Sequence, residues 1–122
     1  MVQIARVTLE QNRHFAHALA KIFGIGSATG LEIAEACGIS RNLRVRDIKE
    51  PHLQRVSQYI QDHFVVEDQL KRGIRENILR LMNIKCRRGT RHELGLPIAG
   101  QTKSNSATAR KLKHHVMYDT SR

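Results

Sequence analysis

Three glycines lie close together in the segment KIFGIGSATG, residues 21–30, directly before apolar residues at helical spacing. A glycine turn that opens a helix presents backbone N–H groups, and such groups can bind a phosphate. The N–H groups of Gly24, Gly26 and Ser27 are therefore a candidate anion site. The same glycines also suit a sharp turn between two helices without any ligand, because glycine adopts backbone conformations that other residues avoid. The turn alone leaves both interpretations open.

The glycine pattern does not match a dinucleotide-binding site. Such a site needs a strand before the glycines, within a strand–helix–strand unit. Here the apolar residues from Phe15 to Phe23 recur at helical spacing, and the third glycine comes one position late. The pattern instead indicates a tight hairpin of two helices, in which Ile25 fills the core and the amides of Gly24, Gly26 and Ser27 face outward. We expect Gly26→Val to disturb this hairpin if the backbone there is closed to branched residues.

Basic residues near the end of the chain form the second candidate site. Arg87, Arg88 and Arg91 lie within five residues, and guanidinium groups make bidentate contacts with phosphates. Four further cations continue the pattern along the chain: Lys103, Arg110, Lys111 and Lys113. A run of charges that is solvated and binds nothing is the alternative interpretation.

The charge of the chain favours a nucleic-acid partner. The 122 residues include 21 Lys and Arg against 11 acidic residues, which gives a formal net charge of +10. Residues 85–122 hold 9 basic and 2 acidic residues, whereas residues 1–84 hold 12 and 9. So basic a segment favours a polyanion, and the scarcity of aromatic residues favours recognition of phosphates and shape over base stacking.

The sequence gives little support for a metal or catalytic site. Cys86, His92 and the pair His114–His115 lack the short paired spacing of zinc ligands. Cys37 and Cys86 are too few and too far apart for a disulfide scaffold, and we expect them to pack as small apolar residues. No Ser or Cys has a catalytic neighbourhood. We therefore expect no metal, no cofactor, no enzymatic activity and no membrane-spanning segment.

Helical periodicity covers the chain up to about residue 84. Four helices are predicted, after Arg13, from Ser27 as the N-cap, from about Pro51 and from about Asp68. From residue 85 the chain is basic and rich in Gly, Ser and Thr. There only RRGTRHEL suits a short helix, and we expect the rest to be extended until a charged partner binds it. The sequence thus predicts a mainly α protein, with a helical body over residues 1–84 and a basic C-terminal extension over residues 85–122.

Two segments, IFGIGSATGLEI and LKRGIRENILRLMNIKCRRGTRHELGLPIAGQTKSNSATARK, resemble the small-subunit ribosomal protein thirteen family. The resemblance extends from QIARVTL to about Lys113. Its most specific part is the block CRRGTRHELGLPIAGQT. This block matches the family pattern at ten positions: Cys86, Arg88, Gly89, Arg91, His92, Gly95, Leu96, Pro97, Gly100 and Gln101.

The resemblance implies a helix-two-turns-helix body with a long extended basic C-terminal tail. It further implies a structural protein of the small-subunit head that binds small-subunit ribosomal RNA and small-subunit ribosomal protein nineteen. The body would reach large-subunit protein five across the subunit interface, and the tail would approach tRNA in the peptidyl site. Carried over residue by residue, Arg88, Arg91 and His92 match the RNA-contacting block, while Lys103 and Arg110–Lys113 match the basic tail.

The chain departs from the family pattern at several positions. Glu93 and Leu94 stand where a basic pair is usual, and Ala99 stands where arginine is usual. Together with the segment TARKLK, this weaker basicity resembles mitochondrial members more than bacterial ones. We therefore expect a mitochondrial ribosome, with the bacterial cytoplasm as the alternative.

Two other functions remain open at the level of sequence. A free-standing DNA- or RNA-backbone-binding module would use the hairpin at Gly24–Ser27 to grip a duplex, but it leaves the specific block after Cys86 unexplained. A protein-interaction adaptor would explain the amphipathic helices but not the charge.

Overall fold

The computed structural model describes the backbone of residues 1–118 and the side chains of residues 1–113. The described chain is mainly helical, which confirms the predicted fold class. Its elements are, in order, β1 (Gln3–Ile4), β2 (Val7–Thr8), α1 (Phe15–Leu19), α2 (Ser27–Ala36), α3 (Glu50–His63), α4 (Glu67–Ile84), α5 (Arg87–Leu94) and α6 (Ser106–Tyr118). Short 3₁₀ turns cover Val45–Asp47 and Lys103–Asn105. No helix among the described residues is long and apolar enough to cross a membrane.

Contacts divide the chain into two compact units, one formed by Met1–Leu70 and one that begins at Lys71. This division falls within α4, whereas the composition changes after residue 84. The boundary between the compact units and the change in composition therefore lie at different points of the chain. Packing of side chains sets the boundary between the units, whereas surface residues determine the charge.

The first unit has a core built from apolar residues of α1, α2 and α3 and of the segments that precede and join them. Gly30 on α2 lies so close to α1 that an added Cβ would meet the Ala16 carbonyl oxygen at 2.3 Å. Ile25, in the turn between these helices, is 4% exposed, which confirms that it fills the core. The largest fully buried side chains are Phe15, Leu19, Ile22, Ile33, Val45, Val56 and Ile60.

The start of α3 agrees with the sequence pattern. Pro51 lies in its first turn, where the missing N–H is not needed, and Glu50 beside it complements the helix dipole. Val56 and Ile60 face the core one turn apart. The antiparallel pair β1–β2 precedes these helices and aligns Ile4 with Val7.

The basic extension is more helical than expected. The short helix predicted for RRGTRHEL is confirmed as α5. In contrast, the segment from Ser106 that was expected to be extended forms α6. Ala, Arg, Lys and Leu in SATARKLK have high helix propensity, which outweighs the Ser and Thr residues around them. Within the described part of the extension, the longest stretch without a helix is residues 95–102, where Gly95, Pro97 and Gly100 fall.

Candidate nucleic-acid interface

The turn between α1 and α2 requires a glycine at position 24. Gly24 has a φ of +105°, a conformation that L side chains rarely adopt. An added Cβ would also lie 2.8 Å from Leu70 Cδ2 and 3.2 Å from the Val65 carbonyl oxygen. Packing of the turn therefore accounts for Gly24 without any ligand.

Gly26 differs from Gly24 in both conformation and surroundings. It is the N-cap of α2, so the prediction of Ser27 as the N-cap is wrong by one residue. The Gly26 backbone is extended, with φ −98° and ψ −176°, and the nearest atom to an added Cβ is Thr29 Oγ1 at 3.8 Å. The backbone at this position is open to branched residues, so the condition under which Gly26→Val would disturb the hairpin is not met.

The backbone N–H groups at the start of α2 differ in whether they already have a hydrogen-bond acceptor within the chain. The Gly26 N–H donates to Thr29 Oγ1 at 3.0 Å. The first helical bond runs from the Gly30 N–H to the Gly26 carbonyl oxygen at 2.9 Å. The Ser27 N–H therefore lies before the hydrogen-bond ladder of the helix, where N–H groups have no intrahelical partner.

A carboxylate lies next to this turn. Glu67 Oε1 accepts a hydrogen bond from the Phe23 N–H at 2.7 Å, one residue before Gly24. Its negative charge opposes a second anion in the same place. Anion binding by the amides of Gly24, Gly26 and Ser27 stays a prediction.

The basic block forms one short helix, α5. Arg87 and Arg88 are exposed, whereas Arg91 and His92 are half-buried. Helical spacing places Arg87 next to Arg91 and Arg88 next to His92. Among the side chains of residues 1–113, no ion pair involves the three arginines. Their charge is therefore not neutralised within the described part of the chain.

A thiol cap and a close helix contact hold the start of α5. Cys86 is the N-cap, and its Sγ accepts the Gly89 N–H at 3.4 Å and donates to the Leu81 carbonyl oxygen at 3.5 Å. An added Cβ at Gly89 would lie 2.1 Å from that same carbonyl oxygen. The expectation that Cys86 serves as a small apolar residue missed this cap. The signal that could have found it is a glycine three residues after a cysteine at the start of a helix.

The end of α5 is closed by a Schellman motif. Gly95 has a φ of +69°, which favours glycine. Its N–H donates to the His92 carbonyl oxygen at 3.2 Å, and the Leu96 N–H donates to the Arg91 carbonyl oxygen at 3.0 Å. Both ends of α5 are thus fixed by specific bonds, so its side chains project from a defined backbone.

Two cations of the predicted tail lie beside the end of α5. Lys113 Nζ donates a hydrogen bond to the Glu93 carbonyl oxygen. The Arg110 Cα lies 3.6 Å from the position of a Cβ on Gly95. The structure therefore brings α6 and α5 together in the second unit. The two remaining tail cations are exposed: Lys103 and Lys111.

His92 is electrostatically coupled to the arginines of α5. Burial lowers the pKa of its imidazole below the ordinary value of 6.5, and the positive charge of Arg88 lowers this pKa further. A neutral imidazole can still accept or donate one hydrogen bond. His92 thus adds a polar group to the basic helix without adding a full charge near neutral pH.

The described residues contain no group of three or more His, Cys, Asp or Glu placed to hold a metal. The side chains of His114 and His115, considered as metal ligands in the sequence, lie outside the described ones. Cys37 is buried, as expected for a small apolar side chain.

Comparison with known proteins connects this geometry to a family. The family model described as ribosomal protein S13/S18 matches residues 3–111, a range that includes all of α5 and most of each compact unit. The chain belongs to the ribosomal protein S13/S18 family. The resemblance found in the sequence is therefore confirmed.

Individual members of the S13/S18 family are similar to almost the whole chain. Small ribosomal subunit protein uS13 of Thermotoga petrophila is 41% identical over 111 residues, which cover 91% of this chain and 89% of the relative. Small ribosomal subunit protein uS13c of Cyanidioschyzon merolae is 43% identical over 116 residues, or 94% of each chain. The uS13 protein of Pseudothermotoga lettingae is 39% identical over 111 residues, covering 91% of this chain and 87% of the relative.

Proposed function

We propose that this protein is a structural, non-catalytic component of the small ribosomal subunit and binds ribosomal RNA through α5. Membership in the S13/S18 family supports the ribosomal role. The observation that carries the RNA contact is the pair Arg87 and Arg88, exposed on a helix whose two ends are fixed by specific hydrogen bonds.

The mechanism is electrostatic. Guanidinium groups donate paired hydrogen bonds to phosphate oxygens, and each neutralised phosphate releases condensed counterions. Binding should therefore weaken with salt, with a log–log slope of roughly 0.7–0.9 for each phosphate contacted. A helix that is already ordered loses little conformational entropy when it binds.

The tail extends this contact in the proposal. Lys103 and Lys111 are exposed, and Arg110 lies beside the end of α5. Lys113 already donates to a backbone carbonyl, so we assign it a weaker contact with RNA. The amides of the Gly24–Ser27 turn are the least favoured contact, because a carboxylate lies next to them.

Protein and tRNA partners belong to the same proposal. We extend the function to small-subunit ribosomal protein nineteen, to large-subunit protein five across the subunit interface, and to tRNA in the peptidyl site. Exposed apolar side chains along α4 are available to protein partners on more than one side of the helix, and they include Ile74, Leu79 and Ile84. Glu93 and Leu94 reduce the positive charge at α5, so the tRNA contact is the weakest of these assignments.

The proposed compartment is the mitochondrion, with the bacterial cytoplasm as the alternative. The weaker basicity of the block after Cys86 supports the first. The Thermotoga and Pseudothermotoga relatives are bacterial and are compatible with the second.

Sedimentation tests the ribosomal assignment and the compartment together. A tagged copy would be followed through sucrose gradients of whole-cell lysate and of purified mitochondria. We expect it to migrate with small subunits and to resist moderate salt. A signal confined to the top of both gradients would overturn the assignment and favour a free-standing module that binds a nucleic-acid backbone.

RNA binding by α5 is tested with the purified chain and small-subunit ribosomal RNA. Arg87→Gln/Arg88→Gln should make the salt slope less steep by roughly 1.4–1.8, which corresponds to two lost phosphate contacts. Arg6→Gln/Arg55→Gln removes two exposed charges from the first unit and is the matched control. An equal change in both double variants would contradict a specific contact at α5.

A further inference from the structure

Two cavities in the second unit lie between α6 and the segment that follows α5. Their volumes are about 200 Å³ and 460 Å³, and they share four lining residues: Pro97, Ile98, Ala109 and Leu112. We call the two cavities together the α5–α6 cleft. All four shared residues are apolar, and Leu112 is 57% exposed although its side chain is large and hydrophobic. The cleft therefore presents apolar surface that the phosphate contacts proposed for α5 do not use.

Both sides of the cleft are held by specific contacts. The Schellman motif at the end of α5 fixes the backbone of Gly95 and Leu96 on one side. On the other side, Lys113 Nζ on α6 donates to the Glu93 carbonyl oxygen. The Arg110 Cα lies 3.6 Å from the position of a Cβ on Gly95. The cleft is therefore formed before any ligand binds, as most ligand sites are.

Polar side chains also line the two cavities. His92 lines the smaller cavity, and Gln101, Asn105 and Thr108 line the larger one. Burial and the charge of Arg88 lower the pKa of the His92 imidazole, so near neutral pH it is uncharged and carries one donor and one acceptor. An apolar wall with a few donors and acceptors suits a flat ligand that has an apolar face and a polar edge, such as a nucleobase.

The charge around the cleft favours a nucleic acid over a protein partner. Residues 85–113 include eight Lys and Arg residues and one acidic residue, Glu93. Three of these cations lie on α6 itself: Arg110, Lys111 and Lys113. An apolar side chain from another protein would fill the cleft but leave this charge unmatched. An RNA nucleotide instead supplies a base for the cleft and a phosphate for the cations beside it.

We propose that the α5–α6 cleft binds an unpaired base of single-stranded RNA, with Pro97 and Leu112 against the base and His92 within reach of its polar edge. This inference rests on the proposed RNA-binding function and adds recognition of a base to the contacts with phosphates. The chain has no Trp, two Tyr and three Phe, so aliphatic side chains take the place of the usual aromatic ones. The cleft thus supplies a base contact against which composition alone argues.

The test compares two RNAs that carry the same phosphates. One is a short single-stranded RNA, and the other is the same oligomer with abasic nucleotides. We expect the full chain to bind the RNA with bases roughly 5–10-fold more tightly, at the low end of the range for base stacking because the wall is aliphatic. The salt slopes for the two RNAs should be equal, since both release the same counterions. The ring current of a bound base should also shift the methyl resonances of Ile98 and Leu112.

Two leucines with similar exposure separate the cleft from the rest of the second unit. Leu112→Gln places an amide on the cleft wall. Leu94, which is 61% exposed and is not among the residues that line the cleft, provides the matched control Leu94→Gln. We expect Leu112→Gln to lose most of the preference for bases and Leu94→Gln to retain it. Gln and Leu have similar helix propensities, so both variants should keep their helices, which circular dichroism checks.

A second variant fills the cleft without adding a polar group. Ala109→Leu introduces a larger side chain on the same wall, and leucine also has a high helix propensity. We expect this variant to lose the preference for bases as well, whether or not Leu112→Gln keeps its helices. Retention of the full preference in a folded Ala109→Leu would contradict binding of the base in the cleft.

The other outcomes separate this inference from the proposed function. Equal affinity of the wild type for the two RNAs would overturn the inference. An equal loss of preference in Leu112→Gln and Leu94→Gln would place the base contact outside the cleft. Methyl shifts with a phenylalanine-containing peptide but not with RNA would show that the cleft takes a protein side chain. If Arg87→Gln/Arg88→Gln weakens binding of both RNAs while the wild type does not distinguish them, the proposed function stands and this inference fails.

Discussion

Phe23 and Glu67 are joined by two hydrogen bonds that connect the glycine turn to the first residue of α4. The Phe23 N–H donates to Glu67 Oε1 at 2.7 Å, and the Glu67 N–H donates to the Phe23 carbonyl oxygen at 2.9 Å. Glu67 has a φ of +48°, an uncommon conformation for a residue with a side chain. The two bonds offset the cost of that conformation, so the turn is held in place by Glu67 as well as by its glycines.

Removing the carboxylate of Glu67 should destabilise the first unit. Glu67→Ala deletes the acceptor of a charge-assisted bond, and we expect the free energy of unfolding to fall by about 1.5–3 kcal/mol. Glu67→Gln keeps an oxygen acceptor and should lose less. Urea denaturation of the three proteins measures the difference. Unchanged stability in Glu67→Ala would show that this carboxylate does not hold the turn.

The two glycines of the turn should respond differently to the same substitution. Gly24→Ser forces a side chain into φ +105° and against Leu70 and Val65, so we expect a loss of about 1–3 kcal/mol in unfolding free energy. Gly26→Ser places a favourable N-cap residue in an extended backbone and should be neutral or slightly stabilising. Thermal unfolding of both variants provides the measurement. Comparable losses would contradict the assignment of strain to position 24.

Much of the first unit follows from patterns that the sequence displays. The helices, the buried Ile25 and the Pro51 start of α3 depend on local periodicity and on turn chemistry. The close packing around Gly24 could not be predicted, because it depends on Val65 and Leu70, which are distant in sequence. The hydrogen bonds between Glu67 and Phe23 could not be predicted for the same reason.

In the candidate site, too, features that depend on neighbouring residues could be predicted, whereas contacts between helices could not. Composition and spacing alone predict Arg87, Arg88 and Arg91 as phosphate contacts, which stays a prediction, whereas the predicted helix α5 is confirmed. The contact of Gly89 with the Leu81 carbonyl oxygen requires two helices to meet and has no periodic signal. The helix from Ser106 could not be predicted, because the Ser and Thr residues and the positive charge of this segment are typical of an extended chain, whereas its Ala, Leu, Lys and Arg residues favour a helix.

The thiol of Cys86 should be replaceable by a hydroxyl but not by a methyl group. Cys86→Ala removes the acceptor of the Gly89 N–H, and loss of an N-cap costs about 0.5–2 kcal/mol. Cys86→Ser supplies a preferred N-cap and should retain α5. Hydrogen exchange at the Gly89 amide measures the effect locally, with faster exchange expected in the Ala variant alone. Equal exchange rates in all three proteins would show that the cap does not hold the helix.

The lowered pKa of His92 predicts a pH dependence of stability. Because the unfolded chain binds a proton at His92 more readily than the folded chain does, stability should fall as the pH falls from 6.5 through the folded-state pKa. Above 6.5 this group should contribute no pH dependence. Denaturation midpoints between pH 5 and 8 measure the trend, and His92→Gln should reduce it.

Arg88→Gln tests the electrostatic part of this shift. The substitution removes the second cause of the lowered pKa and leaves burial, the larger one, in place. The pKa of His92, followed by its imidazole resonances, should therefore rise toward 6.5 without reaching it. An unchanged pKa would mean that the charge of Arg88 is screened by solvent.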